Sequence, residues 1–399
     1  MKKLLLALLL FISVGNAIAQ EFRVIGYLPT YRWGSINSID FDNLTHVCYS
    51  FVNPDASGNF SFSQDLTNLK AKASAANCKV YASIAGAAPS AAAKTAYTTL
   101  TTPSERPAFI HKLLNYLRTA GVDGVDVDLE GDLVAMSTYN DFVVELADSC
   151  HAAGFGISAA LARWNANLVS NATVNALDFI NIMSYDQTGS WAPNNPGPHS
   201  TYAAAVSDFD YWSSTRAKGA ANVVLGVPFY GYEFKNDNTA GAMTWCQIAG
   251  AYPSKMDEDQ ATTADGTVYY NGKPTIRKKT QFVMDQKGGG IMIWELGQDC
   301  FGANSLFQEI IATKNGTLSR TETKGETDAL KVVPNPATTV VNLMVTENNL
   351  TYEVFNLSGK LVLQGANSTT IDISALEAGT YLVKAVSNQT VKSTLFIKQ

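Results

Sequence analysis

Between Val24 and about Ala312 the chain alternates short β-rich runs with helical stretches, and this alternation restricts the fold more than any other feature. The runs are Val24–Leu28, Thr45–Phe51, Lys79–Ile84, Val122–Leu129, Gly156–Leu161, Phe179–Ser184, Val223–Pro228 and Gly290–Glu295. Ser104 opens one helical candidate, in which Phe109, Leu113, Leu114 and Leu117 recur at helical spacing. A second covers roughly Met136 to His151, and a third Tyr202 to Lys218. Strands separated by helices pair in parallel. Eight such units predict an α/β fold, a (β/α)8 TIM barrel over residues 20–312. The competitor is an open doubly wound sheet. Its glycine-rich phosphate loop is missing after the first strand, where Gly26-Tyr27-Leu28-Pro29 offers no G-x-G-x-x-G.

Three segments lie outside the alternation. Residues 1–19 read as a signal peptide: Lys2 and Lys3, then an apolar run from Leu4 to Val14, then Ala17-Ile18-Ala19 as the cleavage site. No Cys follows that site, which argues against a lipid anchor. Residues 313–328 (TKNGTLSRTETKGETD) are almost wholly polar and read as a linker. Residues 329–399 then carry short alternating runs: Val340–Val345, Tyr352–Asn356, Lys360–Gln364, Thr370–Ile373, Thr380–Val386 and Lys392–Ile397. They predict a small all-β sandwich, with a hairpin turn at Asn356-Leu357-Ser358-Gly359.

Charge and cysteine content narrow the function. The formal net charge is −6 and no basic stripe interrupts it, so nucleic acid is excluded as a partner. No run after the leader is long and apolar enough to span a bilayer. The five cysteines (Cys48, Cys78, Cys150, Cys246, Cys300) fit no zinc spacing, so neither a metal nor another cofactor is expected. Being odd in number, they leave at least one unpaired. A Cys246–Cys300 bridge is open, and the others read equally as small buried hydrophobes. The four His residues (46, 111, 151, 199) match no triad or metal spacing, and structural roles are expected for them.

The most informative stretch is Asp123-Gly-Val-Asp126-Val-Asp128-Leu-Glu130. Alternate residues of a strand share a face, so Asp126, Asp128 and Glu130 project one way and Val125, Val127 and Leu129 the other. In a barrel the apolar face packs on the outer helices and the acids point inward, roughly 6–7 Å apart. Like charges in a shared, partly dry interior raise at least one pKa. Glu130 lies at the C-terminal end of its strand, where barrel active sites form, and a protonated Glu there can donate to a leaving-group oxygen. A calcium loop is the other chemistry an acidic run suggests, but the Gly and Glu at its fixed positions are lacking.

This D-x-x-D-x-D-x-E run resembles the signature of glycoside hydrolase family 18, the chitinase family. Met183-Ser184-Tyr185-Asp186 is similar to the family's M-x-Y-D at the end of the sixth strand. Gly226-Val-Pro-Phe-Tyr230-Gly231 resembles its seventh strand, and Gly289-Gly-Ile-Met-Ile-Trp294-Glu295 its eighth. The resemblance spans roughly residues 23–312. It implies retaining, substrate-assisted hydrolysis of β-1,4-linked N-acetylglucosamine, in chitin or its oligosaccharides. Glu130 would protonate the glycosidic oxygen, and Asp128 would hold the acetamido N–H. Asp126 would share a proton with Asp128, and Tyr185 would bond the acetamido oxygen. Asp186 would contact the sugar over a floor of Trp294, with Met183 part of the same motif. Trp33, Trp164 and Trp191 follow strands one, five and six and are candidate outer subsites; Tyr27 is a candidate pocket residue. The third strand departs from the pattern: Ser83-Ile84-Ala85-Gly86 stands where the family carries S-x-G-G. The stretch of about 60 residues between strands seven and eight reads as short for a full inserted α+β unit, which implies a shallow, endo-acting groove.

Residues from about Ala329, with Val333-Pro-Asn-Pro336 and Ala378-Gly-Thr-Tyr-Leu-Val383, resemble the C-terminal sorting domain of the type IX secretion system of Bacteroidetes. All six Trp lie in the barrel, which disfavours a carbohydrate-binding module here. The resemblance implies a secreted or surface-attached protein, expected as a monomer, whose C-terminal domain engages the secretion machinery. An endo-β-N-acetylglucosaminidase of N-glycan cores and a non-catalytic chitin-binding lectin are the alternatives.

Overall fold

The computed structural model describes residues 22–317, 330–344, 350–356, 360–387 and 390–399. The predicted signal peptide, linker residues 318–328 and the hairpin tip 357–359 lie outside them. Two compact units divide at Leu318 and Ser319.

In the first unit, β1 (Arg23–Pro29), β2 (His46–Ser50), β3 (Lys79–Gly86), β4 (Gly124–Leu129), β5 (Gly156–Leu161), β6 (Phe179–Ile182) and β7 (Val223–Pro228) run parallel. They close into a barrel through β12 (Gly290–Trp294), which pairs with both β7 and β1. The predicted runs and the observed strands agree to within a few residues at every position. Around the barrel lie α1 (Gln64–Ala75), α2 (Ala91–Leu100), α3 (Arg106–Ala120), α4 (Tyr139–Ala153), α5 (Asn171–Ala176) and α6 (Tyr202–Asp210). Later in the chain come α7 (Trp245–Ala251), α8 (Lys273–Asp285) and α9 (Leu306–Lys314). Their starts are written in the sequence: Ser63, Ser90, Ser170, Thr201, Thr244 and Ser305 each accept a backbone N–H of the first turn. The third predicted helix holds to Asp210 and then widens into a π turn, Tyr211–Thr215.

The stretch between β7 and β12 corrects one expectation. It has room for an inserted α+β unit, because its strands are only three to six residues long. The segments β8 (Tyr230–Lys235), β9 (Ala240–Thr244), β10 (Gln260–Thr262) and β11 (Gly266–Tyr269) form an antiparallel sheet in the order β10-β11-β8-β9, with α7 beside it. A Cys246–Cys300 disulfide ties α7 to the loop after β12, while Cys48, Cys78 and Cys150 are free and buried.

The second unit is all β. A sheet of β13 (Lys331–Val333), β14 (Val340–Met344) and β17 (Thr370–Asp372) shares one core with a sheet of β15 (Thr351–Asn356), β16 (Leu361–Ala366), β18 (Gly379–Ser387) and β19 (Thr390–Lys398). Among its described residues Val341, Val354, Ile371, Ile373, Val383 and Phe396 are fully buried. The short strand β13 carries too little alternation to be read from the sequence.

Candidate active site

The predicted alternation on β4 holds. Val125, Val127 and Leu129 join the core under the helices, and Asp126 and Asp128 face the barrel axis. Four other strands deliver donors to Asp126, which is 0% exposed. Tyr27 Oη from β1 and Ser83 Oγ from β3 donate to Oδ2 at 2.7 and 2.8 Å. Ser158 Oγ from β5 and Asn181 Nδ2 from β6 donate to Oδ1 at 2.7 and 3.2 Å. Burial pushes the Asp126 pKa up, and these hydrogen bonds work against that push. The carboxylate is a structural knot.

Asp128, one rung higher, is 2% exposed, and its Oδ1 is buried without a hydrogen-bond partner among the described residues. Burial first, then the charges of Glu130 and Asp126, hold its pKa well above the usual carboxylate range. Each Asp126 oxygen already accepts from two of the four donors, two on Oδ1 and two on Oδ2. Glu130 follows the end of β4 and is partly buried. Its pKa is raised to about 7 by burial, with a further push from Asp186. An acid that titrates near neutrality at the mouth of a barrel is poised to give up and take back a proton.

The facing wall comes from the loop after β6 and from the inserted sheet. Tyr185 is buried, and among the described residues its hydroxyl meets only the Met292 sulfur, at 3.9 Å. Asp186 stands in a left-handed backbone conformation, φ 62°. Its Oδ1 accepts from Tyr230 Oη at 2.5 Å and Tyr232 Oη at 3.1 Å, and the buried His199 ring packs behind it with Nδ1 3.4 Å away. At the end of β12 the Trp294 ring stacks on Phe51, centroids 6.0 Å apart, and tilts over Tyr27 at 5.5 Å.

Together these surfaces enclose a cleft of about 420 Å³. Asp128, Glu130, Met183, Tyr185, Asp186 and Trp294, all singled out from the sequence, line it. A second groove of about 610 Å³ continues from it across Met183, Tyr185 and Asp186 to Trp164, Arg163 and Tyr211. Trp164 is 63% exposed there. Trp191, 60% exposed, meets the Tyr232 ring edge-on at 5.6 Å, one layer out from Asp186.

Two expected residues lie elsewhere. Tyr27 is fully buried beneath the cleft, with its hydroxyl committed to Asp126, so it supports the ladder rather than lining the pocket. Trp33 packs against the hydrophobic core. The same tight turn, Thr30–Ser35, brings Tyr31 to the cleft instead, 69% exposed. Sequence reasoning also missed Asn53, Tyr230 and Tyr232. The Tyr-x-Tyr alternation at 230 and 232 was the available signal for two hydroxyls on one face. No group of three or more His, Cys, Asp or Glu among the described residues could hold a metal ion.

Comparison with known proteins agrees with this geometry. Residues 23–299 match the model of glycosyl hydrolases family 18, and residues 331–399 that of the secretion system C-terminal sorting domain. A solved structure of the GH18 chitinase ChiB, from the chitin utilization locus of Flavobacterium johnsoniae, is similar at 36% identity and TM-score 0.69. The similarity covers 75% of this chain and 95% of that one. Chitinase A1 of Niallia circulans is 26% identical over 70% of this chain and 50% of its own length. Probable chitinase 10 of Drosophila melanogaster is 23% identical over 73% of this chain. The matches span only 50% and 16% of those two relatives. The sorting domain marks a secreted or cell-surface protein, and the barrel that precedes it belongs to glycosyl hydrolases family 18.

Proposed function

We propose that the protein hydrolyses β-1,4-linked N-acetylglucosamine polymers, chitin or its oligosaccharides, with retention and with the substrate's own acetamido group as nucleophile. The observation that carries this reading is the contrast at the cleft: a Glu130 whose pKa burial raises to about 7, beside an Asp128 whose buried Oδ1 has no hydrogen-bond partner among the described residues. Glu130 gives its proton to the glycosidic oxygen as the bond to the anomeric carbon breaks. The acetamido carbonyl oxygen closes on that carbon and forms an oxazolinium. Asp128 accepts the acetamido N–H and offsets the positive charge. Its raised pKa belongs to the free site, and a cation beside it favours the carboxylate. Water then attacks the anomeric carbon as its bond to the acetamido oxygen breaks, and gives a proton to Glu130, which restores both the acetamido group and the acid.

Tyr185, whose hydroxyl has only a weak sulfur partner, donates to the acetamido oxygen. Asp186 bonds the sugar through the oxygen its tyrosines leave open, and Trp294 lies under the ring, with Met183 beside it. Asp126 keeps the column in register. The groove toward Trp164, with Trp191 alongside, gives the polymer a path past the scissile bond, which supports internal cleavage. The protein acts as a monomer, and its C-terminal domain engages the secretion machinery. The similarity to a chitinase of a chitin utilization locus favours chitin.

Incubation with chitin oligomers and, separately, with a high-mannose glycoprotein tests this. Release of diacetylchitobiose with no glycan release is expected. Glycan release would move the assignment to an endo-β-N-acetylglucosaminidase, and binding of oligomers without turnover of either would make the barrel a lectin. Hydrolysis of fully deacetylated polymer would contradict the substrate-assisted step.

A further inference from the structure

Ala85 has a left-handed backbone, φ 76°, and Gly86 after it has φ 78°. A left-handed conformation is open to glycine and disfavoured for alanine, whose Cβ crowds the following carbonyl. Ala85 is also a rung of the site: it is the register partner of Asp128 on β4, and it lines the cleft. Something must therefore hold a disfavoured backbone at a position where a small shift would move Asp128.

On the side away from β4, strand β2 does not do this. β2 ends at Ser50, opposite Ser83 on β3, and Val52 N–H reaches the Ser83 carbonyl at 2.8 Å. No β2 peptide continues upward to meet the N–H and carbonyl of Ala85. The side chain of Asn53 meets them instead. Its Oδ1 accepts the Ala85 N–H at 3.0 Å, and its Nδ2 donates to the Ala85 carbonyl at 3.1 Å. A carboxamide presents the same donor and acceptor pair as a backbone peptide, so Asn53 extends the ladder by one step after the strand has ended. Tyr97 of α2, fully buried, donates its hydroxyl to the same Oδ1 at 3.0 Å and fixes the carboxamide's orientation.

We infer that Asn53 is a positioning residue of this site: with Tyr97 behind it, its carboxamide holds Ala85 left-handed and so sets the wall against which Asp128 works. This rests on the proposed role of Asp128. Asn53 acts through Ala85, and no contact with the reacting atoms is assigned to it.

The test is a cycle of Asn53→Ala, Ala85→Gly and the double variant, measured on soluble N-acetylglucosamine oligomers together with melting curves. Asn53→Ala should lower kcat about tenfold or more with a smaller change in KM, because a misplaced orienting group weakens the transition state more than the ground state. Ala85→Gly should restore most of that loss in the double variant, since glycine holds the turn without a clamp. Asn53→Asp keeps both acceptor contacts and loses the donor to the Ala85 carbonyl; it should fall between, and it serves if Asn53→Ala does not fold. An Asn53→Ala protein with wild-type kcat well below its melting temperature would overturn the inference. So would a double variant that regains melting temperature and not kcat, because Asn53 would then be a stabilising residue only. A wild-type protein that cuts no oligomer counts against the proposed function instead, and is told apart by that control.

Discussion

Asp126 and Asp128 leave β4 on the same face, two residues apart, and the barrel treats them in opposite ways. Around Asp126 the interior is finished: donors from β1, β3, β5 and β6 converge on two oxygens, and nothing is left to bind. Around Asp128 it is unfinished, with a buried oxygen that meets no donor among the described residues and a cleft above. A buried polar group without a partner costs stability, and under the proposed function that cost at the upper rung serves a guest rather than the fold. The same residue type is satisfied by the fold at one depth of the barrel and left open to the cleft at the next.

Several substitutions would break or sharpen that contrast. The largest effect is expected at the top of the column. Glu130→Gln should lower turnover roughly 10³-fold while oligomer binding persists, because shape is kept and the transferable proton is lost. The same variant carries a stability signature. The folded pKa of Glu130 is raised from 4.5 to about 7, so its contribution to stability is present below about 4.5 and lost as pH rises through about 7. Gln has no such loss. The variant's advantage in melting temperature over wild type should grow from pH 5 to pH 8 on differential scanning calorimetry.

Next comes the direct comparison of the two aspartates by chemical denaturation. Asp126→Ala should destabilise the barrel by about 3 kcal/mol, because it strands the hydroxyls and amide that converge there. Asp128→Ala should leave stability unchanged or raised, since it removes an unpartnered buried oxygen, while abolishing turnover. Equal destabilisation by both would dissolve the distinction. A smaller effect is expected at Asp186. Its charge is the second cause of the raised Glu130 pKa, so Asp186→Asn should move the alkaline limb of the rate profile to lower pH. Burial, the larger cause, remains, so the limb should stay above the ordinary Glu range. The smallest effect is Ala85→Gly alone, which should stabilise by about 1 kcal/mol or less: the left-handed penalty is relieved, and glycine's greater freedom in the unfolded chain offsets part of the gain.

The site was legible where one strand or one loop carried the information. The column Asp126, Asp128 and Glu130 follows from a period of two, and Tyr185, Asp186 and Trp294 follow from the family motifs their segments resemble. It was not legible where a side chain's direction depends on a turn. Trp33 and Tyr31 share one tight turn after β1, and only its path decides which ring meets the cleft. Tyr27 shows the same limit. Its strand position was read correctly, but at that depth of the barrel it meets a carboxylate and no solvent. The inserted sheet was underestimated, because length says little about a unit whose strands are three to six residues long, and so Tyr230 and Tyr232 were overlooked behind Asp186.

The sequence by itself determined the barrel, the carboxylate face and the acid at its end, because strand periodicity and strand termini are local properties of the chain. Tertiary structure alone decided which carboxylate is satisfied and which is left open, since Asp126's partners lie on four other strands and Asp128 Oδ1 has none among the described residues. It also decided how Ala85 can stand where its backbone is disfavoured. The carboxamide that holds it lies 32 residues earlier in the chain, and only closure of the barrel brings the two together.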